Sequence, residues 1–267
     1  EQYRIIHACD LDTVIPSYFV KIFLKKKIIF DVFDWVSQND ERGLRKIISY
    51  IENSLFKNAD YTILCEEYRL NQIKPTYRRP YLVLPNIPDI DYQNDSEVEE
   101  IINKQKKQYK TVLSYVGVFD SNRGIEDIIN FVANHPTFVI NIAGFGRLQN
   151  FVLEKSRKYN NIIYWGKVEY NKGLNIMRNS DLIIAFYYLS EPAHKYAAPN
   201  KYYESLFLGK PILTNNHTEL SKKIREYNTG ITIDQGFDSI SYFFENEFNN
   251  INLNHLEENA KKLWKRK

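Results

Sequence analysis

The feature that most constrains this chain is the regular alternation of short apolar runs, rich in β-branched and aromatic residues, with longer segments of helical periodicity. Such alternation is typical of βα units around a parallel sheet and argues against an antiparallel sandwich. About ten runs have the length and composition of strands. They span 3–8, 27–32, 61–64, 81–84, 111–116, 137–142, 161–164, 181–186, 211–213 and 230–233.

A break at 85–89 divides these runs into four and six, because Pro85 and Pro88 push the residues before them out of helical conformation. We therefore expect an N-terminal domain over 1–88, a second domain over 89–253 and a C-terminal helix over 254–267. Helices are predicted near 13–24, 40–56 and 66–73 in the first domain. Six strands predict a complete doubly wound sheet of the Rossmann type. The first domain, with four strands and a start at Glu1, is expected to be incomplete in this chain.

Composition excludes several classes of protein. With 43% hydrophobic and 26% charged residues, the chain has the balance of a folded globular protein. A net charge of +3 is too small to predict nucleic-acid binding by bulk charge. Two cysteines, Cys9 and Cys65, are too few for a disulfide scaffold, and no run reaches the ~18 apolar residues of a membrane-spanning helix. We expect a cytoplasmic protein.

The loops that follow strands carry the chemistry, because open α/β sheets bind ligands outside the carboxyl ends of their strands. Gly117 and Gly124 flank the first such loop, with Arg123 next to the start of a predicted helix. Flexible backbone, a helix N-terminus and a fixed positive charge suit a phosphate. The alternative is an ordinary turn with a surface arginine. A second loop with Gly144 and Gly146 lacks the third glycine of a dinucleotide fingerprint and so argues against a dehydrogenase.

The densest polar segment is 196–211, in which Pro199 precedes a predicted short helix that Gly209 ends. Lys201 and Glu204 are three residues apart and share one helix face. The ammonium could bind a diphosphate and the carboxylate a ribose diol; the alternative is a solvated ion pair. The preceding loop, 187–198, contains His194, which could contact a donor sugar or lie on a plain surface loop.

Taken in order, these motifs resemble the glycosyltransferases of family 4 (glycosyl transferases group 1), which have the GT-B fold. Near residue 7 the chain is similar to the family's His-Ala-His-Asp segment, and 30–34 is similar to its Asp-x-His-Glu strand end. The resemblance extends from about residue 3 to 265 and rests on the following positions: Gly117, Arg123, Gly124, Gly144, Gly146, Gly166, Val168, Ser180, Asp181, Pro199, Asn200, Lys201, Glu204, Gly209 and Pro211.

The resemblance implies two Rossmann-like domains with parallel sheets, the second of which binds a nucleotide-sugar. Arg123 and Lys201 would hold the donor diphosphate, Glu204 would bind the ribose hydroxyls, and His7 would contact the sugar. The remaining donor-site positions would be Gly117, Gly124, Gly144, Gly146, Val168 and Asn200. Tyr196 stands where the family has the first of two glutamates, Val118 where a basic residue is common and Cys9 in place of a second histidine. These departures resemble bacterial polysaccharide glucuronosyltransferases and leave the stereochemical outcome open.

Catalysis without a metal or cofactor is expected, because Arg123, Lys201 and two helix N-termini can neutralise a departing nucleoside diphosphate. Asp10 and Asp12 have the spacing of a metal clamp but precede a predicted helix. An inverting route needs a carboxylate base, for which Asp34 is the candidate, beside a Trp35 on which a sugar could stack. The alternative makes Asp34 a helix N-cap and Trp35 a core residue. His7 and Asp10 are further catalytic candidates.

The function expected is transfer of a hexose from a UDP- or GDP-linked donor to a surface polysaccharide or lipid-linked glycan. Tyr18, Phe19 and Phe23, with Lys21 and 25–27, form an aromatic and basic patch that could contact the inner face of the cell membrane or be a solvated face. The alternatives are a GT-B sugar-nucleotide epimerase and a non-catalytic relative that binds the nucleotide-sugar without turnover.

Overall fold

The computed structural model describes residues 3–37, 43–88 and 91–266. Asp89, the last residue of the break predicted at 85–89, and residues 40–42 at the predicted start of the second helix lie outside these ranges. The chain divides into two units, one formed by Glu1–Asn86 with Tyr196–Ala198 and the other by Ile87–Lys195 with Pro199–Lys267. In the first unit, the hydroxyl of Tyr68 donates a hydrogen bond to the carbonyl of Ala197.

The first unit is a parallel sheet with the strand order β1-β2-β3-β4. Its core contains Phe30, Trp35, Phe56 and Leu64. Its elements are β1 (Ile5–Cys9), α1 (Asp10–Leu24), β2 (Lys27–Val32), α2 (Gly43–Asn58), β3 (Tyr61–Leu64), two 3₁₀ turns (Glu67–Gln72 and Pro75–Tyr77) and β4 (Leu82–Val83).

The second unit begins with α3 (Ser96–Gln108), whose first turn is capped by the side chain of Asp95, and then alternates strand and helix. Its further elements are β5 (Thr111–Phe119), α4 (Ile125–Asn134), β6 (Phe138–Gly146), α5 (Gln149–Lys158), β7 (Ile162–Tyr164), α6 (Tyr170–Asn179), β8 (Leu182–Ile184), α7 (Asn200–Leu208), β9 (Ile212–Asn215), α8 (Glu219–Tyr227), β10 (Gly230–Ile233), α9 (Phe237–Tyr242) and α10 (Leu253–Trp264).

The sheet of the second unit has six strands in the order β10-β9-β8-β5-β6-β7, all pairs parallel. Counted from β5, this is the doubly wound order in which the chain first builds one half of the sheet and then returns to build the other. The order reverses between β5 and β8. The predicted α/β fold class with two Rossmann-like parallel sheets is confirmed.

Strands β5 and β6 are longer than predicted, so three glycines that were predicted to lie in loops lie in strands. Gly117 pairs with Gly144, and Phe119 pairs with Gly146, so all lie in the β5–β6 ladder. A Cβ on Gly144 would lie 1.8 Å from the carbonyl oxygen of Gly117. Glycine is disfavoured in strand interiors unless backbones approach closely, so the sequence pattern predicted a turn where the structure has a close approach.

Helix boundaries in the first unit also differ from the prediction. Helix α1 begins at Asp10, so Asp10 and Asp12 lie in its first turn and do not precede it. The helix predicted over 66–73 is the 3₁₀ turn Glu67–Gln72. None of the helices in the described ranges combines the length and the apolar character needed to cross a bilayer.

Candidate functional site

The order of the six strands places the candidate site. Ligands of doubly wound sheets bind at the carboxyl ends of the strands where the order reverses, here β5 and β8. The segment after β5 carries Arg123, and the segment after β8 carries Tyr187. The guanidinium carbon of Arg123 lies 4.7 Å from the ring centre of Tyr187, so the two segments meet.

Arg123 is held by a turn whose next residue is a glycine in the left-handed region. It ends the 3₁₀ turn Ser121–Arg123, and Gly124 follows with φ +65°. A Cβ on Gly124 would lie 2.9 Å from Cδ2 of Phe186. Burial raises the pKa of Tyr187 to about 12, and the charge of Arg123 opposes the shift. The guanidinium therefore rests on a neutral aromatic ring, an arrangement that leaves its charge available to an anion.

Lys201 reaches the same strand end from α7. Its Nζ donates a hydrogen bond to the carbonyl oxygen of Val116 and lies 5.7 Å from the ring centre of Tyr115. Burial of the ammonium lowers the pKa of Lys201; Glu204 opposes the shift and Arg123 adds to it. Arg123 and Lys201 are thus close enough to repel each other. An anion between two such cations would relieve the repulsion.

Glu204 lies one turn after Lys201 and is 7% exposed. Its Oε1 accepts a hydrogen bond of 3.0 Å from the hydroxyl of Tyr170. Among the described residues no ion pair joins Lys201 to Glu204. The alternative of a solvated ion pair is therefore wrong: each side chain has a different partner elsewhere in the second unit.

Backbone groups complete the polar surface at this edge. No side chain of the described residues caps the N-terminus of α4, which follows Gly124, or of α7, which follows Pro199. Uncapped N-termini present free N–H groups and a partial positive charge. Asn200 is exposed on the first turn of α7. Two cations and two helix N-termini make this edge suitable for a phosphate-bearing ligand.

The neighbouring strand end contributes backbone and one apolar side chain. The N–H of Gly144 donates a hydrogen bond of 2.8 Å to the carbonyl of Gly166, which links the end of β6 to the loop after β7. Val168, in that loop, is half-buried and packs against the apolar cluster that contains Val112. The structure therefore groups Gly144 and Val168 at one edge with Gly117, which faces Nζ of Lys201.

His194 is buried, so the alternative of a plain surface loop is wrong for this residue. Its Nδ1–H donates to the carbonyl oxygen of Tyr188 at 2.8 Å, and its ring meets that of Tyr187 edge-on. Burial lowers the pKa of His194, and the charge of Arg123 lowers it further. The ring is therefore neutral at pH 7, with Nε2 as an acceptor.

In the first unit, the carboxyl ends of β1 and β2 carry the predicted catalytic residues. Asp10, with φ +56°, accepts hydrogen bonds at Oδ1 from the backbone N–H groups of Phe33 at 2.8 Å and Asp34 at 2.9 Å. Burial raises the pKa of Asp10 in spite of these two bonds. Asp10 thus fixes the backbone that presents Asp34.

The side chain of Asp34 is 77% exposed and pairs with Arg69 through an Nη2–Oδ1 distance of 3.2 Å. Arg69 is buried and also donates to Sγ of Cys65. Trp35 is 1% exposed and packs edge-on against Phe56, so the prediction that it stacks on a sugar is wrong. The N-cap alternative for Asp34 is wrong as well, because residues 35–37, which follow it, are not helical.

His7 lies on β1, and its Nε2–H donates to Oδ2 of Asp31 on the neighbouring strand β2 at 2.9 Å. Cys9 pairs in register with Asp31 on the neighbouring strand. Donor atoms of His7, Cys9 and Asp31 all lie within 4.8 Å of one another. Within the described part of the first unit, these three residues could hold a transition metal, since imidazole, thiolate and carboxylate are all ligands of zinc.

A comparison of the sequence with known families matches residues 97–263 to the family described as Glycosyl transferases group 1. The match covers more than half of the chain. The chain belongs to this family. No curated protein sequence matches the chain.

Solved structures give the fold of this group 1 chain. Sucrose-phosphate synthase from Thermosynechococcus elongatus superposes with a TM-score of 0.76 at 14% identity, over 99% of this chain and 69% of that one. HepE of Anabaena, solved with UDP, superposes with a TM-score of 0.76 at 13% identity, over 99% of this chain and 74% of HepE. WaaG, a glycosyltransferase involved in lipopolysaccharide biosynthesis, superposes with a TM-score of 0.61 at 14% identity, over 94% of this chain and 77% of WaaG. The predicted GT-B fold is confirmed.

Three tyrosines of the site were missed by the sequence analysis. Tyr115 and Tyr187 lie beside the two cations, and Tyr170 holds Glu204. The chain contains 20 tyrosines, so tyrosine content could not single them out. The one local signal is for Tyr170, which follows the Gly166-x-Val168 motif by two residues and begins a helix.

Proposed function

We propose that this group 1 protein transfers a hexose from a nucleoside diphosphate sugar to a surface polysaccharide or lipid-linked glycan. The observation that carries the proposal is the convergence of Arg123, Lys201 and two uncapped helix N-termini at the strand ends where the sheet order reverses. Glu204 lies one helical turn away, where a ribose joined to that diphosphate could reach it.

The chemistry follows from the leaving group. When the bond between the sugar and the diphosphate breaks, negative charge develops on the phosphate oxygen, and fixed donors at that point stabilise the transition state. Arg123 and Lys201 would supply two positive charges, and the N–H groups of α4 and α7 would supply hydrogen bonds. These donors are sufficient without a metal or cofactor in the proposed reaction.

We assign the nucleotide to UDP or GDP, with support for uridine from a neighbour: HepE is solved with UDP and with UDP-glucose. The close approach of Gly117 and Gly144 would let the nucleotide lie against backbone without side-chain interference. Val168, Gly146 and Asn200 would complete the donor site.

On the acceptor side, we propose Asp34 as the base that takes the proton from the acceptor hydroxyl in an inverting reaction. Its exposed carboxylate is accessible to a substrate, and its backbone is fixed by Asp10. The imidazole of His7, oriented by Asp31, would hold a sugar hydroxyl.

A second candidate function is binding of the nucleotide-sugar without turnover. Two observations favour it: Arg69 neutralises the carboxylate of Asp34, which weakens it as a base, and Tyr196 stands in place of a family glutamate. Under this candidate function the donor site would still bind the nucleotide-sugar, but Asp34 would have no catalytic role.

A cytoplasmic location at the inner face of the membrane fits a lipid-linked acceptor. Phe19 and Phe23 are exposed on α1, and Lys25 and Lys26 follow at its C-terminal end. Aromatic side chains beside lysines favour contact with an anionic lipid surface. Lys21 is not available for this contact, since it pairs with Asp60.

The test combines binding and turnover. Arg123→Ala and Glu204→Ala should weaken UDP binding in isothermal titration, whereas Arg157→Ala, which removes an exposed arginine on α5, should leave it unchanged. Asp34→Asn should retain UDP binding and lose release of UDP from UDP-hexose in the presence of a glycan acceptor.

The outcomes separate the candidates. Binding without UDP release in the wild-type protein would favour the non-catalytic candidate, and an epimeric UDP-sugar formed without acceptor would identify an epimerase. Equal UDP affinity in the Arg123, Glu204 and Arg157 variants would refute the donor site itself.

A further inference from the structure

The contact between Tyr170 and Glu204 has no role in the proposed transfer reaction itself. Tyr170 is the first residue of α6 and is 51% exposed, whereas Glu204 lies in the middle of α7 and is 7% exposed. The tyrosine therefore reaches with its hydroxyl from the surface to a buried carboxylate. The hydrogen bond is 3.0 Å long.

The direction of this bond is fixed by chemistry. An ionised carboxylate can only accept hydrogen bonds, so the phenol of Tyr170 must donate. Burial of the hydroxyl raises the pKa of Tyr170, and the charge of Glu204 raises it further. The bond occupies Oε1 of Glu204 and leaves Oε2 as the acceptor for other donors.

The hydrogen bond from Tyr170 keeps Glu204 from pairing with Lys201. Lys201 and Glu204 are three residues apart on one helix, a spacing at which opposite charges attract and often pair. In the structure the ammonium is bound to the carbonyl of Val116 and the carboxylate to Tyr170. The two charges are thus kept apart by partners on β5 and α6.

We propose that Tyr170 is a positioning residue for the nucleotide ribose: it anchors Oε1 of Glu204, so that Oε2 faces the ribose hydroxyls and the carboxylate does not turn onto Lys201. This inference rests on the proposed donor site. It assigns to Tyr170 part of the discrimination between ribose and deoxyribose, because a fixed carboxylate loses a hydrogen bond when the 2′-hydroxyl is missing.

The experiment is isothermal titration of the full chain with UDP and with 2′-deoxy-UDP. Tyr170→Phe keeps the ring and removes the hydroxyl, and Tyr242→Phe is the matched control because Tyr242 is an exposed tyrosine on α9. We expect Tyr170→Phe to weaken UDP binding about 5- to 10-fold and to reduce the preference for UDP over 2′-deoxy-UDP. The control should change neither value.

A double-mutant cycle separates positioning from a general structural effect. In a Glu204→Gln background, Tyr170→Phe should have no further effect on UDP affinity, because the anchored carboxylate is already gone. If Glu204→Gln weakens UDP binding but Tyr170→Phe leaves it unchanged or tightens it, the role of Tyr170 is refuted and the donor site stands. If Glu204→Gln has no effect on UDP binding, the ribose site and the inference both fail.

Discussion

The close approach of β5 and β6 makes Gly144 the position where one added methyl group has the largest predictable effect. A Cβ there would lie 1.8 Å from the carbonyl oxygen of Gly117, against ordinary contact distances of 3.4 Å or more. The two backbones would have to separate by about 1.6 Å. Residue 144 also has φ +141°, which side chains of L-residues rarely adopt.

Both effects oppose Gly144→Ala. Backbone strain at such a φ costs about 1–3 kcal/mol. Forcing extra volume into a packed contact costs about 1–3 kcal/mol more. We therefore expect Gly144→Ala to lower the free energy of unfolding by about 2–6 kcal/mol. Because the shifted carbonyl belongs to Gly117, next to the carbonyl that binds Lys201, UDP affinity should fall as well.

Gly166→Ala is the matched control, because Gly166 has φ +74° but no atom within 4 Å of the position its Cβ would take. It should show the strain of a positive φ alone, about 1–3 kcal/mol. Urea denaturation followed by circular dichroism measures both variants. Equal losses for Gly144→Ala and Gly166→Ala would refute the argument that the two strands are too close for a side chain.

Two further predictions concern titration. The pKa of Lys201 is lowered, so its ammonium loses the proton at a lower pH than an ordinary lysine, whose pKa is about 10.4. UDP affinity should therefore fall as pH rises, before pH reaches about 10.4. In UDP titrations from pH 7 to 10, the Lys201→Arg variant should not show this fall. Burial lowers the pKa of His194 in the folded protein below its value of about 6.5 in the unfolded chain. Because the unfolded chain then binds the proton more readily, the free energy of unfolding should decrease as pH drops below about 6.5. Urea melts at pH 7 and 5 should show a smaller acid loss in His194→Gln than in the wild type, with His255→Gln, an exposed histidine, as the control.

The sequence predicted the sheets well where hydrophobic runs are continuous. The strand predicted over 27–32 is β2 to the residue, because Ile28, Ile29 and Phe30 form a continuous β-branched and aromatic run at its centre. The prediction failed where glycines extend a ladder, since Gly117 and Gly144 look like turn residues locally. Their pairing depends on how close two strands come, and a single segment carries no information about that distance.

The cations of the site were predictable for a different reason. Arg123 and Lys201 each lie next to a helix start, and the carboxyl ends of parallel strands meet at one edge, so topology alone brings them near each other. Trp35 and His194 could not be placed in the same way. Whether an aromatic or imidazole ring in a loop is buried depends on which helix or strand covers it.

The separation of Lys201 from Glu204 shows why the surrounding fold matters to a site whose residues are all visible in the sequence. If the two side chains paired, a nucleotide would first have to break their bond, and its binding energy would be reduced by that cost. The carbonyl of Val116 and the hydroxyl of Tyr170 instead hold the two charges apart before any ligand arrives. Both partners are uncharged, so they orient the ammonium and the carboxylate without neutralising them. In the proposed donor site, a diphosphate and a ribose would therefore meet groups that are already fixed and not neutralised by their partners, which is the condition for strong electrostatic recognition at a partly buried surface.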